Sequence, residues 1–360
     1  MSRKIAFFIS PHGFGHAARS AAIMSALSEI SPSFSFEIFT TVPEWFFEDS
    51  HCMPFVYHLL ETDIGLAQKN PLQEDLPRTI EQLNQFLPFK EDLISDLATV
   101  VQREKCDLIV CDIAPMGIAV SKKSGIPSVL IENFTWDWIY SRYDAYCEEL
   151  KEHTSYLRNL FSLADYHIQA EPFCSPTEAD LVIKPVSRRP RLVAEEIRKR
   201  LGIPDGKKLV VITMGGIPEQ YHAYEKLSDN KDTFFIVPGG NKSLKTVNNI
   251  ILLPHRSDFF HPDLINAGDA VIGKIGYSTL AEVYHACTPF GYVSRTSFPE
   301  SEKLVDYVDQ HMKGLCLSGS AYHNGSWVEI LSDLLRLPKI SRSTPNGADQ
   351  AASFLKDVLS

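Results

Sequence analysis

The 360-residue sequence lacks an excess of positive charge: 35 lysines and arginines are outnumbered by 45 acidic residues, so the formal net charge is −10 at pH 7. Such a chain has no overall positive field with which to hold nucleic acid or an anionic membrane. Its seven cysteines include no C-x-x-C pair, which argues against a zinc knuckle and a thioredoxin-like motif. Their odd number is typical of a reducing compartment.

Long apolar runs are also missing. The first run, residues 5–9, is too short for the core of a signal peptide, and no stretch approaches the roughly 18 apolar residues that span a bilayer. We therefore expect a cytoplasmic protein without a transmembrane segment. With 44% hydrophobic and 22% charged residues the composition is that of a folded globular protein, and the length predicts two domains.

Short β-rich runs alternate with longer amphipathic segments, a pattern typical of a mostly parallel sheet covered by helices. A stretch rich in proline and charge at residues 183–191 separates two such halves and predicts a linker. The sequence therefore predicts an α/β fold built from two Rossmann-like domains. Strands are expected at residues 4–10, 34–40, 55–60, 107–113, 128–133 and 167–170, and in the second half at 208–214, 233–237, 250–253, 270–272, 290–294 and 314–317.

The ten residues SPHGFGHAAR at 10–19 follow the first strand and lead into a predicted helix. Gly13 and Gly15 would let the backbone turn tightly and approach a ligand. Because ligands of parallel sheets sit beyond the carboxyl ends of the strands, where helix N-termini point free N–H groups outward, this segment is a candidate binding loop. The match Gly13-x-Gly15-x-x-Ala18 also admits a dinucleotide site, but the second strand ends in Phe39-Thr-Thr41, with no acidic residue there to hold an adenine ribose, and Glu37 comes too early.

The two histidines of this loop predict different roles. His16 falls in the first turn of the helix, where the helix dipole disfavours imidazolium and favours the neutral ring that a general base needs. His12 is equally compatible with ligand contact and with bonding to neighbouring carbonyl groups. A metal pair of both histidines is disfavoured, because the glycines make their spacing non-helical and no carboxylate is adjacent.

The second half of the chain contains another predicted strand that is followed by a glycine turn and a helix. The strand is expected to end near residue 272, a glycine loop to occupy 273–276 and a helix to open at 277–279. Backbone N–H groups, two hydroxyls and the Lys274 ammonium would suit a diphosphate there. Glu282, one turn deeper, is placed to accept both hydroxyls of a ribose.

This turn also admits two interpretations other than a phosphate site. Gly268, Gly273 and Lys274 nearly spell a P-loop, but Ile275 stands where that motif binds Mg²⁺ through Ser or Thr, and the intervening residues predict a strand. A plain structural turn, with Glu282 solvated, stays open as the alternative.

These motifs resemble GT-B glycosyltransferases of the group that contains MurG and monogalactosyldiacylglycerol synthase. The resemblance rests on Gly-x-Gly-His after the first strand and on Gly-Lys-x-Gly-Tyr-x-Thr-x-x-Glu, with a downstream Pro-Phe strand, in the second half. The chain is also similar to the glycosyltransferase-like N-terminal region of plant L-arabinokinases, through VCDIAP at 110–115, NFTWDWIY at 133–140 and FFHPDL at 259–264. The likeness covers nearly the whole chain, and it implies two Rossmann-like domains facing one another across a cleft.

The resemblance implies an acceptor-binding domain over residues 1–185, a domain over 190–340 that binds a nucleotide-sugar donor, and a helix at 346–360 that crosses back to the first domain. The residues implied for the donor are Gly215, Gly216, Lys274, Ile275, Gly276, Tyr277, Ser278, Thr279, Glu282 and Glu300. Those implied for a hydroxyl acceptor are His12, Gly13, Phe14, Gly15, Asn133, Trp136 and Trp138. The two tryptophans are alternatively packing residues.

The implied reaction moves a sugar, with UDP-sugars as first candidates, to an acceptor hydroxyl. His16 is the expected general base, with Asp112 and Asp137 in reserve. The chain has no Asp-x-Asp motif, so we expect no metal and no other cofactor. It also has no Glu-x7-Glu pair after residue 250, which favours inversion at the sugar carbon.

Other functions stay open from the residues alone. A nucleotide-sugar epimerase or hydrolase would use the same fold, and a non-catalytic protein would bind a nucleotide sugar without turnover. An oxidoreductase would instead bind a dinucleotide in the first glycine loop. The sequence indicates no oligomeric state.

Overall fold

The computed structural model describes residues 3–50, 54–70, 73–213, 224–295 and 297–360. The chain divides into two compact units, one of Met1–Ser187 with Pro345–Ser360 and the other of Arg188–Thr344. Each unit carries a mostly parallel sheet with helices between its strands, so the predicted α/β, Rossmann-like fold class is confirmed. None of the described helices is both long enough and apolar enough to cross a membrane.

The first unit is built around apolar strands whose central members are buried. Its described elements, apart from a 3-10 helix at Asp144–Tyr146, are β1 (Arg3–Ile9), α1 (Gly15–Ile30), β2 (Phe34–Thr40), α2 (Trp45–Asp49), β3 (Phe55–Leu59), β4 (Gln68–Asn70), β5 (Gln73–Glu74), α3 (Leu76–Phe86), α4 (Glu91–Arg103), β6 (Leu108–Asp112), α5 (Pro115–Ser124), β7 (Ser128–Glu132), α6 (Trp136–Tyr140), α7 (Cys147–Phe161), β8 (Tyr166–Ala170) and β9 (Leu181–Ile183).

The order of strands in this sheet determines which loops meet. Among the described residues the order is β3-β2-β1-β6-β7-β8-β9, with every pair parallel. The strands β1 and β6 are neighbours although four strands and four helices lie between them along the chain. Their register pairs Ile9 with Asp112, so their carboxyl ends lie side by side.

The second unit repeats the architecture with its own core of aliphatic and aromatic side chains. Apart from a 3-10 helix at Ser326–Ile330, its described elements are α8 (Ala194–Arg200), β10 (Lys208–Thr213), α9 (Tyr224–Ser228), β11 (Thr233–Pro238), β12 (Lys245–Val247), β13 (Ile250–Leu253), α10 (His261–Ala267), β14 (Ala270–Lys274), α11 (Tyr277–Ala286), β15 (Phe290–Val293), α12 (Glu300–His311), β16 (Gly314–Leu317), α13 (Gly319–Asn324) and α14 (Leu331–Arg336). The described sheet runs β12-β13-β11-β10-β14-β15-β16, and β12 alone of these is antiparallel to its neighbour.

The last helix, α15 (Gly347–Val358), belongs to the first unit, where it packs against α1. Asn346 begins it, because its Oδ1 accepts the Ala348 N–H at 3.0 Å. Gly347 lies so close to the Lys184 carbonyl that a Cβ would overlap it. The apolar face formed by Ala351, Ala352 and Leu355 is fully buried.

Every strand predicted from the sequence is present, with ends that differ by at most two residues. The short strands β4, β5, β9 and β12 were not predicted, because two or three residues are too few to show an alternating pattern. The predicted end of the strand at residue 272 is wrong: β14 continues through Lys274 and pairs there with β15.

Candidate functional site

The glycine loop after β1 turns the chain into α1. Gly13 has a φ of 75°, in the left-handed region that favours glycine, and a Cβ there would meet nothing within 4 Å. The loop therefore needs Gly13 for its backbone conformation rather than for space. Gly15 is the first residue of α1, and the Phe14 carbonyl accepts the Ala18 N–H at 2.8 Å. The Phe14 ring packs against Phe46, with ring centroids 5.0 Å apart.

His16, the second residue of α1, has the clearest chemical environment in the first unit. Its ring is buried, and its Nδ1 lies 3.0 Å from Oδ1 of Asp112, the last residue of β6. Arg19 Nη2 also lies 3.3 Å from this nitrogen. The nearer carboxylate favours the neutral tautomer that carries its proton on Nδ1, which leaves Nε2 unprotonated. Within the described parts of the chain, Nε2 has no hydrogen-bond partner.

The Asp112 carboxylate is held from three directions. Besides His16, Arg19 donates from Nε to Oδ2 at 2.9 Å and from Nη2 to Oδ1, and the Ser20 hydroxyl donates to Oδ2 at 3.0 Å. Burial by itself would raise the pKa of the Asp112 carboxyl, but the Arg19 charge and the hydrogen bonds from His16 and Arg19 outweigh it and hold that pKa below its ordinary value. Asp112, predicted as a reserve base, therefore lies beside His16 as a carboxylate whose two oxygens already accept hydrogen bonds.

Arg19 connects this pair to the next strand, and the sequence analysis missed it. Its side chain is 1% exposed, and Nη1 donates to Oδ1 of Asn133 at 2.6 Å. The i, i+3 spacing of His16 and Arg19 on one helix was the available signal, since it puts both side chains on one face. Asn133, predicted to bind the acceptor, is fully buried and accepts this hydrogen bond from the guanidinium.

The remaining aromatic and acidic residues of this segment lie in different environments. Trp136 is 1% exposed and its ring lies edge-on to His12, with centroids 5.2 Å apart. Trp138 is partly exposed, and the Arg142 guanidinium lies over its ring. Asp137, the second reserve base, accepts a long hydrogen bond of 3.4 Å from Arg158 and, within the described residues, makes no hydrogen bond to His16.

A second buried carboxyl lies beneath the glycine loop. Asp63 is 4% exposed, its Oδ1 accepts the Ser10 hydroxyl at 3.0 Å, and its Oδ2 has no hydrogen-bond partner among the described residues. Burial raises the pKa of Asp63 to about 8. Nearby, Gly65 has a φ of 60° and presses against the His12 ring, whose Nδ1 accepts the Leu66 N–H at 3.4 Å. No sequence signal had singled out Asp63.

In the second unit the turn between β14 and α11 is shorter than predicted. Gly273 is a strand residue, and a Cβ there would overlap the Thr213 carbonyl oxygen, so this glycine permits close approach of β14 to β10. Ile275 is fully buried in the hydrophobic core, so only its backbone is suited to a ligand, contrary to its predicted place in an open loop. Gly276 is extended, and a Cβ there would meet nothing within 4 Å.

The start of α11 presents a mixed set of side chains. Tyr277 and Thr279 are buried, whereas Lys274 and Ser278 are partly exposed. Gly276 is the N-cap residue of this helix and makes no side-chain hydrogen bond to it. The first backbone N–H groups of the helix therefore lack a side-chain cap. This geometry is compatible with an anion at the helix start.

Glu282, one turn deeper on α11, is buried and ion-paired. Arg188 donates to Oε1 from Nη2 at 3.0 Å and from Nε at 3.3 Å, and His261 Nδ1 lies 2.7 Å from Oε2. Burial would raise the pKa of the Glu282 carboxyl, but the charges and hydrogen bonds of His261 and Arg188 outweigh it and hold that pKa below its ordinary value. The alternative of a solvated Glu282 is wrong.

The other predicted donor residues lie in different settings. Glu300 begins α12 and is buried. Gly215 and Gly216 fall within 214–223, outside the described residues. Among the residues that the structure describes, no group of three or more His, Cys, Asp and Glu side chains is arranged to hold a metal ion.

Comparison with known proteins extends over the whole chain. No family model matches the sequence. An L-arabinokinase of Arabidopsis thaliana is 27% identical over 366 residues, which cover 98% of this chain and 34% of that protein. The chain thus spans about a third of the length of this relative. An uncharacterized glycosyltransferase of Methanopyrus kandleri is 22% identical over 285 residues, covering 72% of this chain and 78% of that protein.

Solved structures match the arrangement of elements. A UGT of Arabidopsis thaliana complexed with quercetin has a TM-score of 0.64 at 11% identity, with all of both chains covered. MurG of Acinetobacter baumannii has a TM-score of 0.58 at 12% identity, with 99% of each chain covered. The chain has the GT-B fold. The glycosyltransferase VinC in complex with dTDP also matches, with a TM-score of 0.60 at 12% identity, covering 99% of this chain and 95% of VinC.

The GT-B match confirms the resemblance drawn from the sequence motifs. It assigns the fold and no residue role, because identities of 11–12% leave side-chain correspondences undetermined.

Proposed function

We propose that this GT-B chain is a glycosyltransferase that moves a sugar from a nucleoside diphosphate sugar, with UDP-sugars as first candidates, to a hydroxyl acceptor with inversion. The observation that carries the proposal is the His16–Asp112 pair at 3.0 Å. A histidine whose Nδ1–H is held by a buried carboxylate keeps Nε2 as a proton acceptor, which is what activation of a hydroxyl requires.

The proposed step is a single displacement. His16 Nε2 takes the proton of the acceptor hydroxyl, the hydroxyl oxygen forms a bond to the anomeric carbon, and the bond from that carbon to the diphosphate oxygen breaks. The electron pair leaves on the diphosphate, and Asp112 stabilises the imidazolium that forms. Attack opposite the leaving group inverts the anomeric configuration.

The leaving diphosphate is proposed to bind the second unit at the start of α11. Backbone N–H groups after Gly276 and the Lys274 ammonium would stabilise the growing negative charge. Glu282 would accept the ribose hydroxyls one turn deeper. The dTDP complex of VinC supports a nucleoside diphosphate as the ligand class for this fold.

The experiment has a binding arm and a turnover arm. Thermal shifts with UDP, GDP and dTDP identify the nucleotide, because a ligand that binds only the native state raises the melting temperature. The matching nucleotide sugars are then incubated with and without a panel of hydroxyl acceptors. Release of nucleoside diphosphate that depends on acceptor, with an inverted glycoside by NMR, is the expected result.

Two outcomes would favour the alternatives. Hydrolysis or epimerisation that does not need an acceptor indicates the epimerase or hydrolase function. Saturable nucleotide binding with no turnover across the panel indicates a non-catalytic binding protein. Where turnover is observed, His16→Ala tests whether the reaction uses the proposed base, because only such a reaction loses its rate.

A further inference from the structure

One imidazole in the second unit joins three separate elements. His261, the first residue of α10, has Nδ1 2.7 Å from Oε2 of Glu282 on α11 and Nε2 3.2 Å from Oγ1 of Thr213 at the end of β10. In the neutral ring Nδ1–H donates to the carboxylate and Nε2 accepts the threonine hydroxyl. The ring is thereby fixed at both nitrogens.

The two oxygens of Glu282 are held unequally. Oε2 has the short contact with His261, whereas Oε1 shares the Arg188 guanidinium at 3.0 and 3.3 Å. A carboxylate accepts about four hydrogen bonds, so both oxygens keep capacity for further donors. Arg188 thus holds Oε1, and His261 is the contact that holds Oε2.

We propose that His261 is a positioning residue that fixes the Glu282 carboxylate for the two ribose hydroxyls of the bound nucleotide. This inference rests on the proposed function, in which Glu282 binds the ribose. It adds His261 as the residue that orients the glutamate of the Gly-Lys-x-Gly-Tyr-x-Thr-x-x-Glu motif. A glutamate side chain has three rotatable bonds, and a carboxylate that must accept two hydroxyls at once loses affinity when its orientation is free.

A purely structural His261 makes a different prediction. If the ring only stabilised the second unit, its removal would weaken all nucleotides alike or unfold the chain. If it positions Glu282, its removal weakens only ligands that carry the ribose hydroxyls. The ratio of the dissociation constants of 2′,3′-dideoxy-UDP and UDP therefore distinguishes the two roles, because a general loss of folded protein cancels in it.

The experiment measures that ratio by titration calorimetry for the unchanged chain and for His261→Leu, His261→Asn and Glu282→Gln. His323→Phe, an exposed histidine on α13, is the matched control. For the unchanged chain we expect UDP to bind roughly 10- to 100-fold more tightly than the dideoxy analogue, as hydrogen bonds to a charged group imply. The ratio should fall to within about threefold of unity in His261→Leu and Glu282→Gln, recover partly in His261→Asn, whose amide keeps a donor, and stay unchanged in the control.

The outcomes separate this inference from the proposed function. A ratio that falls in Glu282→Gln but not in His261→Leu overturns the positioning role and leaves the ribose site in place. A ratio that is unchanged in Glu282→Gln, or an unchanged chain that does not bind UDP, overturns the donor site and the inference with it. If His261→Leu does not fold, Thr213→Val takes its place. That variant frees one ring nitrogen, and an undiminished ratio in it and in His261→Asn overturns the positioning role.

Discussion

His16 Nδ1 and Asp112 Oδ1 lie 3.0 Å apart, although 96 residues separate them in the chain. The contact exists because β1 and β6 are adjacent parallel strands with Ile9 beside Asp112, and α1 begins a few residues beyond β1. The helix N-terminus and the strand end thus present a histidine and an acid to one another, which is the arrangement on which the proposed catalysis depends.

Replacing His16 by alanine removes the proposed base. We expect kcat to fall by about 10²- to 10⁴-fold with little change in donor affinity, since the nucleotide is proposed to bind the other unit. Steady-state rates and calorimetric UDP binding on the same preparation check this. His323→Phe, which changes an exposed histidine on α13, is the control. A rate equal to that of the unchanged chain in His16→Ala would assign the base elsewhere.

Replacing Asp112 by asparagine tests the orienting role. The amide no longer holds the Nδ1–H tautomer, so we expect a fall in kcat of about 10²- to 10⁴-fold. The same change leaves the buried Arg19 guanidinium without its anion, which costs about 3 to 5 kcal/mol of unfolding free energy.

The two effects of Asp112→Asn are separated by a second variant. Asn133→Ala removes the amide on Nη1 of Arg19 while the His16–Asp112 pair remains. We expect it to lower the denaturation midpoint in urea but to keep most of the activity. Equal losses of activity in Asp112→Asn and Asn133→Ala, at a temperature where both are folded, would contradict the role of Asp112 in orienting His16.

Asp63 makes the stability of the chain depend on pH. Its pKa of about 8 in the folded state lies above the ordinary value of 3.8, so between pH 4 and 8 the native state holds one proton more than the unfolded state. Stability therefore falls as the pH rises through this window, by about 1.4 kcal/mol per pH unit from this group.

Asp63→Asn removes this pH dependence, because the amide resembles the neutral acid and still accepts the Ser10 hydroxyl. Urea unfolding at pH 5, 6, 7 and 8 should show the variant gaining stability relative to the unchanged chain at each step. Parallel curves for the two proteins would mean that Asp63 is ionised in the folded state.

Gly273 and Gly276 should respond differently to alanine. In Gly273→Ala the new Cβ overlaps the Thr213 carbonyl, so we expect a loss of at least about 1 to 3 kcal/mol of unfolding free energy. In Gly276→Ala the Cβ enters open space on an extended backbone, so stability should be unchanged or higher by up to about 1 kcal/mol.

UDP binding completes the comparison of the two glycines. Because Gly276 directly precedes the proposed diphosphate site, Gly276→Ala should lower the affinity for UDP without lowering the melting temperature of the free protein. Undiminished UDP affinity in this variant would place the diphosphate away from the start of α11.

Much of the fold was predictable because its signals are local. Apolar runs bounded by Gly, Pro, Asp or Asn gave the long strands, and Asn346 marked the start of the last helix. The predicted end of β14 at residue 272 is wrong for a physical reason. The sequence pattern suggests a loop glycine at Gly273, whereas the strand needs a glycine there to approach Thr213 closely. A single sequence carries no signal that distinguishes these two uses of glycine.

The sequence by itself determined the α/β class, the glycine loop at 10–19 and the start of α11, because hydrophobic periodicity and turn residues act over a few positions. Only the tertiary structure decided that Asp112 meets His16, that Asn133 lies behind Arg19 and that Glu282 is held by Arg188 and His261. These contacts depend on which strands become neighbours in a sheet, and strand order follows from the packing of the whole domain rather than from any one segment.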